Sequence, residues 1–143
     1  LRKRNRKLIQ SAELICFPPG SFYSSLIANL LPIGVGAAIA DNLCPKVYIP
    51  NLGQDSESVG LNLRKQVEII LHYLRRDAGP KTAADKLINF VLTDENYADG
   101  MSEKTGKWLQ QQNIQLISVP LISKQSGIHY DAELLTAALL SLT

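Results

Sequence analysis

Four short apolar runs, each followed by a stretch of helical periodicity, constrain this chain more than any other feature. The runs are residues 14–17 (LICF), 46–49 (KVYI), 88–93 (INFVLT) and 114–119 (IQLISV). The first three are nearly continuous in apolar side chains, the pattern of parallel strands covered on both faces. The fourth alternates, which places it nearer a sheet edge. Helical patterns follow at residues 21–42, 61–76, 102–112 and 131–142. Alternation of this kind predicts an α/β fold: a three-layer α/β/α, Rossmann-like arrangement around a mainly parallel sheet with right-handed crossovers.

Local signals refine the helices. Pro32 lacks an N–H and crowds the carbonyl of Ala28, so it is expected to kink or divide the first of them. Leu63, Val67, Ile70, Leu71 and Leu74 form one apolar stripe on the second. In the last, Leu134, Leu135, Ala138, Leu139 and Leu142 line one face, and Asp131 is the expected N-cap. Long connections at 51–60, 77–85 and 123–130 are candidates for function on a domain this small.

Length and composition narrow the class. At 143 residues, 45% hydrophobic and 20% charged, the chain suits one globular domain with a real core. The longest apolar candidate, residues 22–39, is interrupted by Asn29, Pro32, Gly34 and Gly36, and falls short of a membrane span. Cys16 and Cys44 sit in no CxxC pair, and Cys16 lies in an apolar run, so a buried inert thiol at Cys16 and a reducing, cytoplasmic setting are expected. Five of the 15 cations fall in the first seven residues, LRKRNRK. With no aromatic residue among them, the segment reads as a solvated helix face rather than a nucleic-acid contact.

Ligands of open α/β sheets bind beyond the carboxyl ends of the strands. That rule selects Pro18, Pro19, Gly20 and Ser21 after the first run, and Asn51, Gly53, Gln54, Asp55, Ser56, Glu57 and Gly60 after the second. It selects Asp94, Glu95, Asn96 and Tyr97 after the third, and Ser123, Lys124, Gln125 and Ser126 after the fourth. The first loop is the sharpest. Gly20 permits unusual dihedrals and close approach, Ser21 is placed to cap the next helix, and the first-turn N–H groups favour an anion. Ser24 and Ser25 add hydroxyls. Neither GxxxxGK nor GxGxxG is present, so local physics leaves two readings open, a plain strand-to-helix joint and a phosphate cradle. Asp55 and Glu57 are a conceivable Mg²⁺ pair without a third ligand in sequence. Asp94 and Asp99 read as turn or cap residues, and His72 and His129 as exposed or structural.

The stretches AELICFPPGSFYSSLIANLLPIGVGAAI and KVYIPNLGQDSESVG, with HYDAELLTAALLSL at the end, resemble the CofD-like superfamily. That group comprises 2-phospho-L-lactate transferases and a gluconeogenesis-factor branch, and the resemblance points to a bacterial subgroup. It carries the family's GPGS-aromatic-(S/T)S loop onto Gly20, Ser21, Phe22, Tyr23, Ser24 and Ser25, and its second loop onto Asn51, Gln54, Glu57, Ser58 and Gly60. Pro18 stands where the family usually has the first Gly, and Lys65 and Gln66 where the gluconeogenesis-factor branch often has an Asp-His pair. The similarity covers the C-terminal half of a family member. Residues 1–143 are therefore expected to be the C-terminal part of a single CofD-like domain, whose other half normally carries a glycine-rich first loop and metal-binding aspartates. The resemblance implies transfer of a phospholactyl-type group from a nucleotide diphosphate to a hydroxyl acceptor or, alternatively, a non-catalytic nucleotide-sugar-binding regulator. It implies phosphate or nucleotide contacts from residues 20–25, and substrate contacts from Asn51, Gln54 and Glu57. Mg²⁺ would be held mostly by ligands outside this chain. The expected partner is a nucleotide-linked or phosphorylated small molecule, with no nucleic acid and no membrane, and a homodimer is the candidate assembly.

Overall fold

A computed structural model describes residues 1–53, 55–97 and 102–143. Helix α1 (Lys3–Gln10) leads into strand β1 (Ile15–Phe17). Helix α2 (Phe22–Leu30) and helix α3 (Val35–Asp41) meet at a bend of 72°. Strand β2 (Lys46–Tyr48), helix α4 (Leu63–Ala78), strand β3 (Phe90–Asp94), helix α5 (Glu103–Gln111), strand β4 (Gln115–Val119) and helix α6 (Ala132–Leu140) follow. The four strands are all parallel and lie in sequence order, β1-β2-β3-β4. Among the described strands the alternating fourth run lies at one end of the order and β1 at the other.

Strand residues alternate between two apolar layers. Phe17, Tyr48 and Val91 face a large cluster built with α2, α3 and α4, whose stripe of Leu63, Val67, Ile70, Leu71 and Leu74 is wholly buried there. Val47, Ile49 and Leu92 face the other side, where Leu121 and α6 cover them. Asp131 caps α6 through the N–H groups of Glu133 and Leu134, at 3.0 and 3.1 Å. On α6, Leu135, Ala138 and Leu139, with Leu142 beyond its end, make the packed face. Leu134 departs from the expected stripe and stands exposed, because the helix rests on the sheet along a narrower strip than its composition suggests.

The dividing proline works in company. Gly34 takes φ +98°, a conformation that favours glycine, and opens α3. Asp77, in the last turn of α4 rather than in a linker, accepts from the amides of Gly34, Gly36 and Ala37. The α2–α3 pair has the composition of a bent span, but no single helix among the described residues is long and apolar enough to cross a membrane. Its Phe22, Leu26, Ile27, Leu30, Val35, Ala38 and Ile39 are core residues of this domain. Helix α1 has no buried residue, which matches a solvated basic face. Both cysteines are free, and burial pushes the Cys16 thiol up to about 11.

Candidate functional site: a helix start and its facing loop

The turn after β1 puts Gly20 at φ +152°, where a side chain would be strained. The chain then enters α2 through a π-helical stretch, Phe22–Ile27. The Ser21 carbonyl accepts both Ser25 N–H (3.0 Å) and Leu26 N–H (3.1 Å). Such widened turns recur at functional sites. Ser21 does not cap the helix with its hydroxyl, contrary to expectation. Oxygens from across the site do so instead.

These oxygens come from the loop after β2. Asn51 Oδ1 accepts from Gly20 N–H at 2.8 Å, and its amide donates back to the Gly20 carbonyl. Asp55 Oδ2 accepts from Phe22 N–H at 2.8 Å. Glu57 Oε2 accepts from both Tyr23 and Ser24 N–H, each at 2.9 Å. The Ser24 amide, then the Ser24 hydroxyl and the Tyr23 amide, hold the Glu57 carboxyl below its ordinary range. The first-turn N–H groups thus bind anionic oxygen, which their orientation and the helix dipole favour. Asp55 and Glu57, the conceivable Mg²⁺ pair, direct oxygens at amides rather than at a shared centre. Among the described residues no three His, Cys, Asp or Glu side chains gather to hold a metal ion.

A cavity of about 380 Å³ adjoins this row. Phe22, Leu52, Val59 and Leu61 give it apolar walls, while Asn51, Asp55, Gln66 and Tyr97 give it polar groups. Gln66 is buried and fixed from two sides. It accepts from Tyr48 Oη at 2.7 Å and donates to the Leu61 carbonyl at 2.9 Å. Burial raises the Tyr97 phenol, and its contact with Gln66 opposes that shift.

The structure therefore brings together Gly20, Phe22, Tyr23, Ser24, Asn51 and Glu57. Ser21 and Ser25 contribute exposed side chains on the same turn. Gln54 and Asp99 lie outside the described residues. Asp94 is structural: buried, it accepts from Leu121 N–H at 2.8 Å and Asn96 N–H at 2.9 Å, tying the ends of β3 and β4. Ser123 and Ser126 close on each other in a turn. His72 and His129 are exposed. Sequence reasoning missed Gln66 as a cavity residue, and missed Asp55 as a partner of the helix start. The signal for Gln66 is its place as a polar residue on an otherwise apolar helix face.

Fold and site together describe an α/β protein with an anion-favouring helix start at the carboxyl end of its sheet. The sequence pattern of the family described as 2-phospho-L-lactate transferase CofD matches residues 3–127, and the chain belongs to that family. It is 28% identical over 142 residues to the gluconeogenesis factor of Listeria monocytogenes, covering 94% of this chain and 42% of that protein. Over 66 residues it is 35% identical to the gluconeogenesis factor of Halalkalibacterium halodurans, covering 46% of this chain and 20% of that one. A crystal structure of a UPF0052 family member from Bacillus halodurans superposes with a TM-score of 0.74 at 22% identity, over 97% of this chain and 46% of that one. The likeness shows the shared fold. The chain spans less than half the length of these relatives.

Proposed function

We propose that this chain forms the phosphate-holding part of a CofD-type transferase site, with the start of α2 receiving a phosphate of a nucleotide-linked ligand. In this reading the amides of residues 20–24 and the hydroxyls of Ser24 and Ser25 clamp the phosphate. The adjoining cavity takes the neighbouring part of the ligand between Phe22 and Tyr97. Asn51 and Glu57 line the approach, and Gln54 belongs to the same loop. The chemistry is transfer of a phospholactyl-type group from a nucleotide diphosphate to a hydroxyl acceptor. Such a site acts by holding charge and aligning the reactants. The observation that carries the reading is the row of N–H groups on Gly20, Phe22, Tyr23 and Ser24, all paired with side-chain oxygens beside a cavity.

A second reading is a nucleotide-sugar-binding regulator without turnover, favoured by relatives named gluconeogenesis factors. Calorimetry against UDP-sugars, GDP-linked donors and a deazaflavin acceptor, followed by a turnover assay, separates the two. Binding with group transfer supports the transferase, and binding without transfer supports the regulator. Absence of binding to all of them, unchanged in Gly20→Val, would overturn the phosphate site.

A further inference from the structure

We propose that the groove between α4 and α5 is a separate binding site for a nucleotide, free or as one unit of a single strand. Its phosphate sits on Arg75 and Arg76, and its base against Trp108. The inference stands apart from the phosphate reading above, since none of the groove's residues lines the cavity beside α2. The groove has a volume of about 710 Å³, within the range of small-molecule sites. Arg75, Arg76 and His72 line it, and among the described residues none of the three pairs with a carboxylate. Glu68 is the one acid among the described wall residues, and its carboxylate is engaged from outside the groove. Arg64 Nε donates to Glu68 Oε1 at 2.9 Å, and Lys65 Nζ lies 3.9 Å from Oε2.

Cations in the last turn of α4 offset the carbonyl end of that helix, which alone accounts for Arg75 and Arg76 on an ordinary basic face. It does not account for Trp108, an aromatic side chain brought to the same hollow from α5, or for Gln112 beside it. Arg64 lies 5.1 Å from the Trp108 ring centre and Arg76 lies 5.8 Å from that of Tyr73, so aromatic rings stand among the cations. The basic start of the chain has cations and no such rings. The expectation of no nucleic acid rests on that segment, and does not reach a groove assembled from two helices. Cations for phosphates, interleaved with aromatic faces for bases, are the pattern of single-strand recognition. Guanidinium groups suit this role because they take phosphate oxygens in pairs. Arg75 is anchored by its Nε on the Thr82 carbonyl at 3.0 Å, which leaves its terminal nitrogens for the ligand. Leu71 and Pro80 give the apolar surface a ring needs, and the Gln112 amide offers a donor and an acceptor to a base edge.

Trp108 is the only tryptophan of the chain, so its fluorescence reports on this groove. The probes are AMP, an oligoadenylate, ribose phosphate and an oligoglutamate, titrated at low salt with Trp108 emission and calorimetry read together. AMP or the oligoadenylate should quench Trp108. Arg76→Gln should weaken that binding about tenfold, the scale of one lost charge-assisted contact. Lys124→Gln removes an exposed cation elsewhere and should change affinity less than about twofold, in line with screening of a remote charge. Quenching by AMP assigns the groove to a free nucleotide, and quenching by the oligoadenylate alone assigns it to a strand; either supports the proposal. Ribose phosphate should bind at least about tenfold more weakly than AMP, since it offers no ring to Trp108. Equal binding of ribose phosphate, or an equal response to oligoglutamate, overturns the nucleotide site in favour of a plain anion contact. Absence of quenching, or quenching that Arg76→Gln leaves unchanged, overturns it too. If calorimetry shows AMP bound while Trp108 emission stays constant, the nucleotide sits elsewhere: the groove proposal falls and the phosphate reading at α2 does not.

Discussion

At the residue scale, the carboxylates organise this protein by where they point. Asp94 is buried, and burial pushes its carboxyl up, but the N–H groups of Leu121 and Asn96 outweigh that and hold it below the usual range. Replacing it with Ala leaves those buried donors unpaired, and chemical denaturation should register a loss of about 3 kcal/mol. Glu57 is likewise held low by Ser24 and Tyr23. Both groups have folded pKa values below their unfolded ones. The stability they contribute is fully present above the ordinary carboxylate range, and is lost as pH falls through the depressed folded values. Unfolding free energy measured from neutral pH downward should therefore decline below the ordinary range, and Asp94→Asn should flatten that decline. Cys16 behaves oppositely. With its thiol pushed up to about 11, it should react slowly with disulfide reagents at neutral pH and faster as pH rises toward that value.

At the element scale, much was legible because the signals are local. The stripe from Leu63 to Leu74 announces α4, and every member is buried. Pro32 announces the break between α2 and α3, and Asp131 the start of α6. The cap on α2 was not legible, because a Ser beside a helix start is an ordinary cap and its failure depends on residues more than 30 positions away. Only the paired geometry of β1 and β2, with Phe17 beside Tyr48, brings the Asn51, Asp55 and Glu57 side chains to the amides of residues 20–24. Sequence thus singled out Gly20, Asn51 and Glu57 but not Gln66, and it could not say in which direction their side chains point. Gly36 gives the sharpest test of packing between elements. A methyl group there meets the α4 backbone, which has no rotamer with which to yield. Gly36→Ala should cost about 3 kcal/mol or more in denaturant melts, the upper range for overpacking.

At the scale of the whole molecule, the two faces of the sheet are unequal. One carries a deep core shared by α2, α3 and α4, and the other is covered by α6, which has no buried residue of its own. Core truncation should follow that asymmetry. Leu74→Ala, at a fully buried position, should cost about 3–4 kcal/mol, whereas Leu139→Ala should cost about 1–2 kcal/mol, since its side chain is already partly in water. Equal losses would place the mechanical centre of the fold elsewhere.

The strand order has a last consequence, for how the chain comes to exist. Because β1, β2, β3 and β4 lie side by side in the order they are written, each new strand pairs only with the one just before it. Among the described strands, none has to be slotted between two others already in place. Loop closure is then always over one crossover, a modest entropic cost at each step. During synthesis these four strands can be added one after another. β2, β3 and β4 each find a neighbour waiting as they leave the ribosome, and Asn51, Asp55 and Glu57 reach the start of α2 once β2 has joined β1.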